Sequence, residues 1–259
     1  MSTGFAWSHR GQDLAALKRN ARDAEIVRFL GSQSVPVRAE MDAEQIPYNF
    51  GDWYGVDVFG GYLASITNNV VRVQADYHAR MLFGTNYHVG TKPARAGQME
   101  VYTAASGLKV YANPAAFPRA WSVHEVTGIP GFALWTYLAR PLEEHRRRAF
   151  IIGDAPKLET CAGEDQVRIA ERLPNRVTIE AEMSCRGLVV VGETHFPGWV
   201  ARVDGQPARI YESYGALRGV VVDAGRHRIE MRYRPTAVYL GAALTVLGIV
   251  GAAVLGIRA

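Results

Sequence analysis

The sequence predicts an α+β N-terminal region followed by an antiparallel β-sandwich and one C-terminal transmembrane helix. Three observations predict it. Period-two alternation recurs between residues 166 and 235, turn dipeptides punctuate it at short intervals, and an uncharged run follows it. The expected domains are residues 1–155, a mixed α/β extracytoplasmic region; 156–235, the sandwich; and 236–257, the membrane helix.

In the N-terminal region, Leu14, Leu17, Ala21, Ala24, Ile26, Val27, Phe29 and Leu30 recur at helical spacing, so Gln12 to Leu30 reads as a helix that Gly31 stops. Val35 to Arg38 reads as a short strand and Asp76 to Phe83 as a helix. Met99–Thr103 and Leu108–Ala112 flank Ser106-Gly107, which predicts a hairpin. Phe132 to Arg148 reads as partly helical, with Pro141 starting or kinking a helix, because its ring removes an amide donor. The boundary between the two regions falls near residues 153–164.

In the sandwich region, Val177, Ile179, Ala181 and Met183 alternate with Arg176, Thr178, Glu180 and Glu182, the pattern of a half-buried strand. Leu188 to Val191 is continuously apolar, as a central strand requires. Trp199, Ala201 and Val203 alternate before Asp204-Gly205, a dipeptide suited to the positive φ angles of a tight hairpin. Pro207–Tyr211 and Leu217–Val222 follow, and Ala224-Gly225 turns the chain again. His227, Ile229, Met231 and Tyr233 then share one strand face, and Arg226, Arg228, Glu230, Arg232 and Arg234 the other.

From Thr236 to Ile257 there is no charge, and as a helix the run spans about 33 Å, close to the thickness of a hydrocarbon core. Arg234 and Arg258 bracket it, and Tyr233 and Tyr239 suit a headgroup interface. Gly248, Ala252 and Gly256 form a small-residue ridge that favours helix packing. Arginine bias alone leaves the orientation undecided. Residues 1–10 lack the basic and apolar segments of a signal peptide.

Composition excludes some functions. A net charge of +4 is too small to argue for nucleic acid. Two cysteines, Cys161 and Cys185, are too few for a disulfide scaffold or a cysteine-built metal site, and the sequence leaves open whether they pair. His124-Glu125 is not a zinc helix, since position 128 is Gly, and residues 143–148 read as a solvated charge cluster. No hydrolase elbow, phosphate loop or dinucleotide fingerprint is present, and no cofactor or metal is expected.

Three stretches carry a resemblance. They are Glu193-Thr-His-Phe-Pro-Gly-Trp-Val-Ala-Arg-Val-Asp-Gly-Gln-Pro207, Asp223-Ala-Gly-Arg-His-Arg-Ile-Glu-Met-Arg-Tyr-Arg-Pro235 and Val110-Tyr-Ala-Asn-Pro-Ala-Ala-Phe-Pro-Arg-Ala-Trp121. In order and spacing they are similar to the C-terminal part of the YfhO family of bacterial integral membrane proteins, and Gly60-Gly61-Tyr62 sits where that family carries a Gly-Tyr pair. The matching positions are Asn113, Pro114, Pro118, Arg119, Pro197, Gly198, Trp199, Asp204, Gly205, Gly225, His227, Tyr233, Arg234 and Pro235. The family resembles C-type glycosyltransferases that use a polyprenyl-phosphate-linked sugar. The resemblance implies an extracytoplasmic accessory domain and last membrane helix, a truncated part of a larger transferase that modifies envelope glycan. It also implies that the early loop carrying the family's catalytic acid is absent from this chain, whose expected role is non-catalytic by itself. The implied location is the cell membrane, with the soluble region outside the cytoplasm. Implied partners are the lipid bilayer, other transmembrane helices and a polyprenyl-phosphate sugar or envelope glycan. The alternative is a membrane-tethered glycan- or protein-binding module without transferase activity.

The residues themselves give one chemical lead. Arg226, Arg228, Arg232 and Arg234 line one strand face, and guanidinium groups pair well with phosphate or lipid headgroups. The competing reading is a solvated sheet face. Trp199 reads as core, Asp204 as a turn residue and His227 as core-facing and locally bonded.

Overall fold

The computed structural model describes residues 23–47, 49–60 and 67–258. The chain divides into two compact units, residues 1–119 and 120–259.

In the first unit a helix, α1, covers residues 23–31. Short helices follow at Phe50–Tyr54 (α2), Asn68–Val73 (α3) and Tyr77–Leu82 (α4). Asp76 caps α4 by accepting the Ala79 amide at 2.9 Å, satisfying a donor that the first helical turn leaves open. Strands β1 (Ala39–Met41), β2 (Tyr87–Gly90), β3 (Met99–Thr103) and β4 (Lys109–Ala112) form a sheet in the order β1-β2-β4-β3, with β1 and β2 parallel. The expected hairpin is the β3–β4 pair, and Gly107 at φ 83° makes its turn. The strand expected at Val35 to Arg38 instead begins at Ala39, because Pro36 has no amide to give a ladder. Ile26, Leu30, Ala39, Ile46, Phe50, Val89 and Val110 make the core, so the apolar stripe of α1 packs as its spacing predicted. Residues 12–22 of the expected helix, residues 1–10, and Gly61 and Tyr62 lie outside the described residues.

The second unit is two sheets packed face to face. The first, in the order β5-β10-β14-β13-β7-β6, comprises β5 (Ala120–Val123), β6 (Glu125–Ile129), β7 (Arg148–Ile152), β10 (Gly187–Thr194), β13 (Ile210–Ser213) and β14 (Leu217–Val222). The second, in the order β12-β11-β15-β9-β8, comprises β8 (Gln166–Leu173), β9 (Arg176–Met183), β11 (Trp199–Val203), β12 (Gln206–Ala208) and β15 (Gly225–Tyr233). Val177, Ile179, Ala181, Met183, Ile229 and Met231 of one sheet meet Val189, Val191, Val220 and Val222 of the other. These are the alternate residues that the period-two pattern turned inward.

The predicted fold class needs four corrections. The architecture is mixed α/β with three sheets, mostly strands. The sandwich is not wholly antiparallel, since β6 and β7 run parallel, joined through a 3₁₀ turn at Gly131–Ala133, α5 (Leu134–Leu138) and α6 (Leu142–Arg147). Its first sheet also takes β5, β6 and β7 from before residue 156, where only the helical bridge had been read.

The fourth correction concerns the tail. Thr236–Arg258 is a helix, α7, but among the described residues no helix is long and apolar enough to cross a membrane. The predicted transmembrane element is therefore withdrawn. Gly248, Ala252 and Gly256, the expected packing ridge, are exposed on α7.

A candidate anion-binding cleft on the outer sheet face

The Asp204-Gly205 turn joins β11 to β12, pairing Val203 with Gln206, and the Asp204 amide donates to the Arg228 carbonyl of β15 at 2.9 Å. Asp204 and Gly205 adopt φ 50° and 82°, the left-handed pair that a two-residue hairpin requires. Across to β15, Trp199 faces Tyr233, Val200 faces Arg232, Arg202 faces Glu230 and Val203 faces Ile229. Because side chains alternate, Val200 and Arg202 point to the same outer face as Glu230 and Arg232. Together with Arg234 they line a shallow cleft of about 250 Å³.

The cleft holds three guanidinium groups and one carboxylate. Arg232 is committed to Glu230 at 3.1 Å, and Arg202 donates to the Gly205 carbonyl. Burial pushes the Glu230 carboxyl up, but hydrogen bonds from Arg228 and Arg232 outweigh it and hold the group below the usual range. Glu230 therefore stays ionised and neutralises one arginine, leaving an excess of two positive charges beside the exposed Val200. Such a surface can accept a multiply charged anion through forked N–H donors, with apolar contact beneath.

The four predicted arginines divide. Arg232 and Arg234 line the cleft. Arg226 pairs with Glu182 at 3.1 Å and Arg228 with Glu230 at 3.4 Å, so these two belong to the charge-paired sheet face. Arg202 was missed, because its proximity to Arg232 becomes visible only once the long-range pairing of β11 with β15 is known.

The family-like positions gather in three places, each with a structural task. At one end of β11 and β15, Gly198 at φ 102° leaves room for the Tyr233 ring, which a Cβ would approach to 2.8 Å. There Tyr233 stacks on Phe196 and leans on Trp199, and the Arg234 amide donates to the Gly198 carbonyl at 2.6 Å. Pro197 precedes this corner and Pro235 leads into α7. Trp199 is half-buried and packs against the sandwich core, with the Arg218 guanidinium 3.8 Å from its ring centroid. At the other end, Gly225 turns at φ 111°, and His227 Nδ1 lies 2.6 Å from an Asp204 oxygen. His227 is thus half-buried and bonded to the turn.

The third group lies in the first unit. Buried Asn113 donates to the Thr85 carbonyl at 2.9 Å and accepts from Gln98 at 2.8 Å. Arg119 donates to Asp57 at 2.7 Å, and Pro114 and Pro118 frame the turn between them. Gln98 also reaches Glu40, a buried carboxylate held by Arg95 and Arg80 and faced by His88 at 3.5 Å. This polar cluster was not legible, because its members are spread across more than fifty positions of sequence.

One further group joins sulfur and nitrogen donors. His124, Cys161 and Cys185 bring possible metal-ligand atoms within 4.8 Å of one another. The open question about the cysteines is answered by a Cys161–Cys185 disulfide. With the sulfurs bonded to each other there is no thiolate pair for a metal, so disulfide and metal are mutually exclusive states here.

No known protein family, curated protein or solved structure matches the chain.

Proposed function

We propose that this chain is a non-catalytic extracytoplasmic binding module whose arginine cleft takes a phosphate-bearing ligand. The observation that carries this reading is the convergence of Arg202, Arg232 and Arg234 on one cleft with Glu230 as its single acid. A polyprenyl-phosphate-linked sugar offers the matching chemistry: a phosphate for the guanidinium fork and an apolar portion for Val200. The resemblance to the YfhO family supports the same ligand class and an accessory role beside a glycosyltransferase. The Cys161–Cys185 disulfide supports an oxidising compartment, where such bonds persist.

The test is binding of the full chain to vesicles containing a polyprenyl phosphate, against vesicles with neutral lipid alone. The double substitution Arg202→Gln, Arg234→Gln should weaken phosphate-dependent binding at least about tenfold, since each charge-assisted hydrogen bond contributes on the order of 1.5–3 kcal/mol. Arg226→Gln, in the paired sheet face, should leave it unchanged. Equal binding by the wild type and the double variant removes the proposal.

A further inference from the structure

The Cys161–Cys185 disulfide lies against a histidine that a carboxylate orients. Cys185 sits in the turn between β9 and β10, and Cys161 in the loop before β8. His124, between β5 and β6, places Nδ1 3.4 Å from Cys185 Sγ. Its Nε2 lies 2.8 Å from Asp165. An ionised carboxylate only accepts, so Nε2 carries the proton and the Nδ1 lone pair faces the sulfur. Asp165 is itself fixed, receiving the Ser184 amide at 2.8 Å and the Ser184 hydroxyl at 2.7 Å. Burial raises the Asp165 carboxyl, but hydrogen bonds from Ser122, Ser184 and His124 bring it below the usual range.

The backbone makes room for this arrangement. A Cβ on Gly187 would meet His124 Cε1 at 2.9 Å and Nδ1 at 3.0 Å, so a glycine lets the ring lie flat beside the turn. A Cβ on Gly163 would meet Ser184 Cβ at 2.2 Å, so a second glycine lets the Cys161 loop close on the residue that holds Asp165. The two sulfurs also differ in access: Cys161 is exposed, whereas Cys185 is 8% exposed.

We infer that this disulfide is a reactive one, which undergoes thiol–disulfide exchange with a dithiol, Cys161 being the sulfur attacked and Cys185 the leaving thiolate. The dithiol's thiolate attacks Cys161 Sγ, forming a mixed disulfide. The Cys161–Cys185 bond breaks and its electron pair goes to Cys185 Sγ. Nδ1 of His124, protonated from solvent, stabilises that thiolate, and Asp165 balances the imidazolium charge. The dithiol's second thiolate then attacks its own bound sulfur and releases Cys161 as a thiolate that takes a proton from water. The dithiol leaves as a disulfide, two electrons having passed to the protein. Asp165 acts here as a positioning residue for His124. The inference does not depend on the arginine cleft, which shares no residue with it.

The experiment uses the full chain with glutathione as trap and dithiothreitol as reductant. Mass spectrometry of the trapped adduct should find glutathione on Cys161. In the reduced Cys161→Ser chain, ultraviolet thiolate absorbance should show Cys185 ionising clearly below the ordinary thiol value of about 8.5. His124→Gln and Asp165→Asn should each slow reduction by dithiothreitol at least about tenfold at pH 7, and His124→Gln should return the ionisation of Cys185 to the ordinary value or above. A purely structural disulfide gives adduct on neither cysteine, or on both alike, and an ordinary ionisation midpoint. Either result overturns the inference. The midpoint is read without altering His124 or Asp165, so misfolding of those variants does not decide the matter.

Discussion

Asp204 and His227 show how one ion pair serves a turn. The Arg228 amide and then His227 draw the Asp204 carboxyl below its ordinary 3.8. Burial opposes protonation of His227, but Asp204 and the Ala224 carbonyl raise it above its ordinary 6.5. The lowered acid contributes stability above about pH 3.8 that is lost as pH falls through its folded value. The raised base contributes stability below about pH 6.5 that is lost as pH rises through its folded value. The stability difference between wild type and Asp204→Asn should therefore be largest near about pH 5 and shrink to either side in urea titrations. A flat difference would show that the pair contributes nothing. Tyr214 makes a second residue-scale case. It is buried at φ 51°, and its hydroxyl donates to the His145 carbonyl at 2.8 Å, with the Arg148 carbonyl also near at 3.1 Å. Tyr214→Phe should cost about 1–2 kcal/mol in chemical unfolding, the loss of a buried donor that leaves carbonyls unpaired. Glu40 is the costlier residue. With the half-buried Arg80 and Arg95 directed at it, Glu40→Ala leaves two guanidinium groups without their carboxylate and should destabilise the first unit by about 1.5–3 kcal/mol.

Elements that obey one period were legible, and those that depend on distant partners were not. Met99–Thr103 with β4, α4 behind Asp76, and α6 after Pro141 stand where turn, cap and proline chemistry placed them. So do the alternating strands β9 and β15, whose inward residues Ile179 and Ile229 face each other across the ladder. β5, β6 and β7 escaped because four- and five-residue strands give too few repeats to show a period. The charge cluster at 143–148 concealed His145, which is fully buried with Nε2 3.1 Å from the Leu138 carbonyl. Within the cleft, the β15 arginines were visible as one strand face, while Arg202 needed the long-range pairing of β11 with β15 and the disulfide needed the fold. α7 shows the limit of apolar runs as evidence, because an uncharged stretch states what a helix avoids and leaves open what covers it. Val238, Leu240, Leu244, Leu247 and Ile249 are each about two-thirds exposed. In detergent-free buffer the full chain should self-associate by light scattering, and a chain ending at Pro235 should not, since a continuous apolar surface of this kind drives association in water.

For the whole molecule, the second unit is complete only when residues 120–152 accompany the later strands, because β5, β6 and β7 make half of the six-stranded sheet. A fragment of residues 120–235 should unfold cooperatively, whereas one of 156–235 should not, since removing those strands strips β10 and β13 of a neighbour each. Calorimetry on the two fragments checks this.

The parallel run of β6 and β7 also governs the order of assembly. Parallel neighbours cannot be joined by a tight turn, so the bridge of residues 130–147 must be laid across the sheet end before Glu125 can meet Arg148. Closing such a span spends chain entropy before any ladder bond returns it, whereas the two-residue turns of β11–β12 at Asp204 and of β8–β9 close locally. The β8–β9 and β11–β12 hairpins should therefore appear early in refolding and the β6–β7 edge late. A kinetic trap in this protein would be a nearly finished sandwich with one open seam.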